Sequence, residues 1–434
     1  MFISEKDNFY PNINIEDYFY KLPKTRIAEH PKKDRSKSKL LVANSKTSKI
    51  EHKFFYELPK LIPEHSLLIV NESRVISARL KMKKSTGAIV ELLLVEPYET
   101  NEEPKSILSK SSPVRWKCLV GGRKIETGSV LISNQIIDNS YIQATILGRD
   151  TNEASVEFSW NPDFLTFEEI LDKFGTVPLP PYIKREPLEE DKHWYQTVYA
   201  IKEGSVAAPT AGLHFTEDII NDIKKKNIFF ERIVLHVGPG TFQPIEESDI
   251  TKHQMHNEKI SISFGTISNL IGYIDSYSNK HSSTSESINN LNIIATGTTT
   301  LRAIETLYWL GCKIKHDDLT INKEGIPFLE QWESYKYEQE NKLLDVRDAL
   351  KQVLEWMEIK SLQILNAKTN LFIVPGYNFK IINGLITNYH IPKSTLLLLI
   401  AAFLGNDFWK EVYNEALNNK YRFLSYGDSS FLLR

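Results

Sequence analysis

The stretch LNIIATGTTTLRAIETLYWL, residues 291–310, joins a short apolar run to a helical pattern through one glycine and three threonines. Its composition predicts a strand over 291–295 and a helix over 299–310. The same order recurs nearby, with a helix predicted over 217–226 and a strand over 229–237. Strands that alternate with helices are typical of an α/β core with partly parallel pairing.

Residues 66–160 have a different hydrophobic pattern. Short apolar or alternating runs are separated by turn material such as Ser-Thr-Gly at 85–87 and Gly-Gly at 121–122. Strands at this spacing predict a small antiparallel barrel or a sandwich. The runs lie at 67–70, 88–95, 114–120, 130–133, 142–147 and 154–160.

A predicted helix over 163–174 and the proline-rich PLPPYIKR, residues 178–185, follow these runs. Proline fixes φ and biases the residue before it away from helix, so we expect the chain to cross between domains here. The predicted division is an α/β core of residues 1–65 and 176–434, with a subdomain of residues 66–175 inserted in it.

Two later stretches have the appearance of additions. Residues 275–290, DSYSNKHSSTSESINN, are rich in Ser and Asn and predict a mobile loop. Residues 331–370 carry apolar positions at helical spacing and predict an amphipathic helix. Those positions are Leu343, Val346, Leu350, Val353, Leu354 and Met357.

Composition narrows the class of protein. The 434 residues are 41% hydrophobic and 25% charged, with a formal net charge of −2, as in ordinary core-forming proteins. Cys118 and Cys312 are the chain's two cysteines, which leaves no disulfide framework or four-thiolate zinc site. We therefore expect a cytoplasmic, metal-free protein that has no membrane partner, because no apolar run reaches membrane-spanning length.

The segment Lys21–Lys39 concentrates positive charge. It holds eight Lys or Arg residues against Glu29 and Asp34. Such a stretch can neutralise nucleic-acid phosphates, but a solvated arm has the same composition. Composition leaves both interpretations open.

Histidines occur in two segments rich in small residues. SVAAPTAGLHF, residues 205–215, allows close backbone approach to a ligand and ends at His214. LHVGPGTF, residues 235–242, places His236 at the end of a predicted strand, where ligands bind in α/β sheets. A tight turn with a core histidine remains an alternative for the first segment.

The segment HQMHNE, residues 253–258, precedes an alternating strand. Counting by two places His256 and Glu258 on the face of Ile260 and Ile262. Burying a carboxylate is costly unless it is paired, so the pattern favours a His–Glu pair suited to proton transfer. A structural pair fits the same pattern. A metal site would need a further ligand that the motif lacks.

Three further segments carry polar groups, two of them after a predicted strand and one near the C-terminus. ATGTTTLR, residues 295–302, brings hydroxyls and free N–H groups to a helix start, which is an environment that suits an anion. Arg302 would be a further donor to that anion, and ordinary threonine capping of the helix is the alternative. LITNYHIPKST, residues 385–395, presents Asn388 and His390 before a helix that is apolar on all sides. YRFLSYGD, residues 421–428, is either a site segment or a packed tail.

Together these stretches resemble the S-adenosylmethionine:tRNA ribosyltransferase-isomerase family of queuosine biosynthesis. The resemblance runs nearly end to end. Besides the motifs above it includes KLPKTRIAEHP at 21–31, LLIVNESRVISARL at 67–80, PLPPYIKR and SFLL at 430–433. The family fold implied by this resemblance is a mixed α/β core with an inserted six-stranded antiparallel β-barrel.

The resemblance also implies a reaction. The ribosyl group of S-adenosylmethionine is moved onto 7-aminomethyl-7-deazaguanine at the wobble position of tRNA and isomerised. The product is epoxyqueuosine, and adenine and methionine leave. Accordingly S-adenosylmethionine is the expected donor substrate, tRNA the expected partner, and a monomer the expected state.

Residue roles are carried over onto matching motifs as expectations. Proton removal beside the sulfonium and protonation of adenine need acid–base groups near neutral pKa. The catalytic candidates are His214, His236, His256, Glu258 and His390. The expected substrate-binding residues are Arg74, Arg79, Pro209, Thr210, Thr241, Thr298, Thr299, Arg302, Asn388, Arg422, Tyr426 and Asp428.

The chain departs from the family pattern in several places. It has the segments 275–290 and 331–370, TNYH where TNFH is usual, and NESR where NNTR is usual. These departures leave the donor chemistry in place and make the acceptor the open question. A different acceptor, or a non-catalytic RNA-binding scaffold, would share most of these motifs.

Overall fold

The computed structural model describes residues 11, 13–98, 104–122, 125–150, 153–236, 238, 244–245, 247, 249–280, 291–405 and 407–434. Its strands are β1 (Lys39–Asn44), β2 (Lys49–Phe54), β3 (Leu67–Asn71), β4 (Ser73–Val75), β5 (Arg79–Lys83), β6 (Ile89–Pro97), β7 (Val114–Gly121), β8 (Val130–Ser133), β9 (Tyr141–Asp150), β10 (Glu153–Asn161), β11 (Gly175–Thr176), β12 (Lys202–Ser205), β13 (Phe229–His236), β14 (Glu258–Ser263), β15 (Ile293–Thr296), β16 (Phe328–Leu329), β17 (Ile364–Thr369), β18 (Gly384–Asn388) and β19 (Ser429–Leu433).

Its α-helices are α1 (Leu58–Leu61), α2 (Pro104–Leu108), α3 (Phe167–Phe174), α4 (Asp191–Trp194), α5 (Glu217–Lys225), α6 (Phe264–Lys280), α7 (Thr298–Lys315), α8 (Glu333–Gln339), α9 (Val346–Ile359), α10 (Thr395–Leu404) and α11 (Phe408–Asn418). Within the described residues, no helix has both the length and the apolar character needed to cross a bilayer.

A ten-stranded mixed sheet forms the centre of the core, in the order β16-β17-β14-β13-β3-β15-β18-β19-β1-β2. Strands β13, β3, β15 and β18 run parallel, so their carboxyl ends share one edge. Strand β14 is antiparallel to β13, with Lys259 opposite His236, so it begins at that same edge. Apolar clusters cover both faces of the sheet, as parallel strands require.

The β-barrel is six-stranded and antiparallel. Neighbouring strands follow the order β5-β6-β7-β10-β9-β8, and pairing of β8 with β5 closes it. Alternate residues point inward and fill the interior with a separate apolar cluster that contains Trp116 and Phe158. The predicted fold class, a mixed α/β core with an inserted six-stranded barrel, is confirmed.

Two local predictions differ from the structure. The sequence pattern places the run Leu67–Val70 in the barrel, but β3 lies in the middle of the large sheet, where both of its faces are buried. The helix predicted from residue 163 begins at Phe167, because Thr166 and Glu169 cap each other's backbone N–H groups at its start. The division into domains remains a prediction.

The segment 331–370 packs into the core. Its predicted amphipathic helix is α9, whose buried residues Val346, Leu350, Val353 and Met357 join the main apolar cluster. Strand β17, at the end of the segment, pairs with β14 in the large sheet. Of the loop predicted over 275–290, residues 275–280 end α6 and residues 281–290 lie outside the described part of the chain.

Candidate active site

A cavity that opens to solvent lies beyond the carboxyl ends of β15 and β18. Four of the six segments singled out by sequence line it: the 205–215, 295–302, 385–395 and 421–428 segments. Neighbouring parallel strands place their terminal loops side by side, which explains the convergence of two of them. The other two segments approach from the β12 side and from the C-terminal part of the chain.

Helix α7 presents its first turn to this cavity. Gly297 has φ +94°, a conformation that favours glycine, and Thr298 and Thr299 follow it in the lining. The free N–H groups of this turn carry the positive end of the helix dipole. Arg302 lies one turn further on, fully buried, with Nη1 2.9 Å from Oε2 of Glu258. The sequence pattern predicted that Arg302 adds a donor to the anion site, but its guanidinium pairs with Glu258 and does not line this cavity.

The loop after β18 supplies an amide and an imidazole. Asn388 accepts a hydrogen bond from the Thr210 hydroxyl at 2.9 Å, and its Nδ2 lies 3.4 Å from Nε2 of His214. His390 has Nε2 3.2 Å from the Thr387 hydroxyl. Desolvation lowers the pKa of His390 to about 3, so this imidazole is neutral at physiological pH.

The 205–215 segment forms the opposite wall through Pro209 and Thr210. Gly212 is required there, because a Cβ at that position would lie 2.0 Å from the Tyr199 hydroxyl oxygen. The segment ends at His214, which is 4% exposed and contacts Phe55. Burial lowers the pKa of His214 to about 4.

The C-terminal segment supports the cavity wall. Asp428 accepts hydrogen bonds from the backbone N–H groups of Lys39 and Arg422 at 2.8 and 2.9 Å. Arg422 donates to the Tyr426 carbonyl, and the Tyr426 hydroxyl donates to Asp191. These contacts fix the turn whose Ser425 lines the cavity.

His236 and His256 line a second and larger cavity between the barrel and the core. His256 has Nε2 3.5 Å from Oε1 of Glu258, the carboxylate that also pairs with Arg302. Burial alone raises the pKa of Glu258, but Arg302 and His256 outweigh it and hold the pKa below its usual range. Burial lowers the pKa of His236 to about 4.

The candidate histidines thus do not share one cavity: His390 lines the smaller cavity, His236 and His256 line the larger one, and His214 lies in a third pocket behind Thr210 and Asn388. Three strand spacings separate β13 from β18. At about 4.8 Å per spacing this is about 14 Å, too far for side-chain contact. The Glu258–Arg302 pair connects the two cavities, because Glu258 contacts His256 and Arg302 belongs to the helix whose first turn lines the smaller cavity.

Two of the expected substrate-binding residues, Arg74 and Arg79, lie where the barrel meets the core. Arg74 pairs with Glu203 at 3.2 Å, and Arg79 pairs with Glu91 at 3.1 Å. In the basic segment, Arg35 donates to the carbonyls of Gln196 and His193 and so has a structural role. Thr241 lies outside the described residues, and among those described no cluster of His, Cys, Asp and Glu could hold a metal ion.

Sequence reasoning did not select two residues that complete the smaller cavity. The hydroxyl of Tyr182 lies 2.5 Å from that of Ser425, and both residues line the cavity. Each belongs to a quoted motif, PLPPYIKR or YRFLSYGD. The position of Tyr182, an aromatic residue with a hydroxyl inside a proline-rich segment, was the feature of the sequence that could have indicated this contact.

Comparison of the sequence with known proteins assigns the chain to a family. A family model described as "Queuosine biosynthesis protein" matches residues 15–432. The chain belongs to this family. Relatives named S-adenosylmethionine:tRNA ribosyltransferase-isomerase include those of Thermotoga petrophila, 38% identical over 97% of this chain and 100% of the relative, and Sulfurihydrogenibium sp., 35% identical over the same shares. The relative from Buchnera aphidicola is 35% identical over 97% of this chain and 96% of its own length.

A solved structure of the same family also matches. The crystal structure of S-adenosylmethionine tRNA ribosyltransferase from Thermotoga maritima is 28% identical and covers 96% of this chain and 100% of its own, with a TM-score of 0.43. The resemblance identified from the sequence motifs is confirmed by the family model and the relatives.

This family member is expected to lose stability in mild acid because of His214. The pKa of His214 is about 4 in the folded protein and about 6.5 in an unfolded chain, so the unfolded state binds more protons between these values. The stabilisation is complete above about pH 6.5 and is lost as pH falls toward 4, by up to about 3 kcal/mol.

Chemical denaturation at pH 7.5, 6 and 5 measures this effect. His214→Asn removes the titrating group, so its free energy of unfolding should depend less steeply on pH than that of the parent. Equal slopes for the two proteins would show that His214 is not protonated preferentially on unfolding.

Proposed function

We propose that this protein transfers the ribosyl group of S-adenosylmethionine onto 7-aminomethyl-7-deazaguanine in tRNA and isomerises it, giving epoxyqueuosine, adenine and methionine. Membership of the family over residues 15–432 is the observation that carries the proposal. Relatives bearing the enzyme's name support it, because they align over 97% of this chain. A tRNA substrate implies a cytoplasmic location.

The smaller cavity suits an uncharged heterocycle. The described residues that line it include no Asp, Glu, Lys or Arg, and its imidazole, His390, is neutral. Hydroxyl and amide groups of Thr210, Thr298 and Asn388 are present instead. Such groups can hydrogen-bond the edges of a purine-like base without the cost of burying an unpaired charge.

The first turn of α7 suits the donor's methionine carboxylate. Thr298 and Thr299 offer hydroxyls and the turn offers free N–H groups, which attract anions at helix starts. Arg302 is not part of this proposal, because Glu258 already neutralises it.

His256 is the proposed acid–base residue. It is accessible from the larger cavity, and the ionised Glu258 lies 3.5 Å from its Nε2. A neighbouring carboxylate orients an imidazole and stabilises its protonated form, as proton exchange requires. The more deeply desolvated His214 and His390 are proposed to act as neutral hydrogen-bonding groups.

Adenine release tests the proposal. Purified protein is mixed with S-adenosylmethionine and tRNA that carries the 7-aminomethyl base, and free adenine is quantified by chromatography. We expect adenine in proportion to modified tRNA, and none with tRNA that carries ordinary guanine. Adenine formed only with another RNA would indicate a different acceptor, and RNA binding without turnover would indicate a non-catalytic scaffold.

A further inference from the structure

Phe19 is an exposed aromatic residue between two buried ones. Its exposed fraction is 59%, whereas Tyr18 and Tyr20 are each 9% exposed. Tyr18 stacks on Trp409, and Tyr20 packs edge-on against Tyr413. The flanking tyrosines thus fix the backbone at this point and hold the Phe19 ring in solvent.

Hydrogen bonds tie this short segment to the loop that lines the smaller cavity. The Tyr18 carbonyl accepts from the Lys393 N–H, and the Tyr20 hydroxyl donates to the His390 carbonyl. His390 and Ser394, on either side of Lys393, both line the cavity. Phe19 is therefore positioned beside the cavity by the same loop that supplies His390.

The charge next to Phe19 is positive on its C-terminal side only, since the exposed Glu16 and Asp17 precede it. Side chains after Phe19 alternate in direction: Tyr20 and Leu22 pack inward, and Lys21 between them is exposed. Lys21 therefore lies on the same side of the chain as Phe19, about 7 Å from it. Lys24 is also exposed. Neither lysine side chain forms a hydrogen bond or ion pair with the described residues, whereas Lys393 is paired with Glu16 at 2.7 Å and contacts the Phe19 ring.

We propose that Phe19, Lys21 and Lys24 form a docking surface for the RNA substrate, with Phe19 stacking on a base that flanks the modified nucleotide. An aromatic face bordered by free lysines matches single-stranded nucleic acid, which offers a stacking base and phosphates at similar spacing. The inference rests on the proposed function, since it takes the purine-like base proposed for the smaller cavity to be the modified base of the tRNA.

The stacking is tested with an anticodon stem–loop RNA that carries 2-aminopurine beside the wobble position. Phe19→Ala is expected to weaken binding about ten- to hundredfold and to abolish the fluorescence quenching seen with the parent. Phe19→Trp should retain both. The matched control is Phe164→Ala, because Phe164 is 75% exposed and follows barrel strand β10, and it should bind as the parent does.

The salt dependence of binding tests the lysines. Lys21→Ala with Lys24→Ala should reduce the slope of log affinity against log salt by about 1.4, or about 0.7 for each phosphate that is no longer neutralised. Lys315→Ala is the control, because Lys315 is exposed at the far end of α7, about 25 Å from the cavity by helix rise.

The outcomes separate the two proposals. Unchanged RNA affinity and quenching in Phe19→Ala, in a protein that releases adenine, would overturn the docking surface and leave the proposed function standing. Absence of RNA binding by the parent would overturn both. Loss of affinity in Phe164→Ala equal to that in Phe19→Ala would also overturn the assignment to this surface.

Discussion

Replacing His256 with alanine is expected to abolish adenine release while S-adenosylmethionine still binds. His256 lies in the larger cavity with its Nε2 3.5 Å from a buried, ionised carboxylate. Loss of a positioned acid–base group lowers a rate by about 10²- to 10⁴-fold. Adenine release under single-turnover conditions, with donor binding measured by calorimetry, checks both parts of this prediction.

His253→Ala is the matched control for that experiment. His253 belongs to the same HQMHNE segment, but its Nδ1 contacts Glu247 at 3.1 Å and its ring contacts Phe372, away from Glu258. We expect nearly normal adenine release from this variant. A His256→Ala enzyme that turns over at a near-normal rate would contradict the role given to His256.

Replacing Arg302 with methionine is expected to destabilise the fold by about 3–5 kcal/mol, because it removes the buried cation that balances Glu258 and leaves only the partly exposed His256, at 3.5 Å, beside that carboxylate. The hydrogen bond from Arg302 Nε to the Leu371 carbonyl, at 3.0 Å, is removed as well. Equilibrium unfolding in urea measures the change.

The double variant Glu258→Met with Arg302→Met separates charge from packing. Removing both partners eliminates the uncompensated carboxylate, so this variant should be more stable than Arg302→Met alone. If the two replacements are additive, the ion pair does not stabilise Glu258 and the proposed link between the two cavities loses its basis.

The sequence predicted most of the fold because each element has a strong local signal. The apolar run before Gly297 and the helix after it are β15 and α7, and the apolar stripe around Leu350 is α9. It did not predict that Leu67–Val70 belongs to the large sheet. A short apolar run has the same appearance in a barrel and in a parallel sheet, and strand order depends on crossovers that spacing does not specify.

The sequence predicted which polar segments contribute to the site better than it predicted how their side chains are arranged. The polar strand ends near Thr298 and Asn388 line one cavity, as strand-end loops in α/β sheets tend to do. The pairing of Arg302 with Glu258 was not predicted, because these residues are separated by more than forty positions and meet only through the sheet order. The separation of His236 and His256 from His390 has the same cause.

Transfer of the ribosyl group is the central claim, and donor labelling tests it most directly. S-adenosylmethionine labelled in the ribose is compared with S-adenosylmethionine labelled in the methyl group, each with tRNA that carries the 7-aminomethyl base. We predict that the ribose label enters the RNA and that the methyl label stays with released methionine. Methyl label in the RNA, or RNA free of both labels while adenine accumulates, would contradict the account.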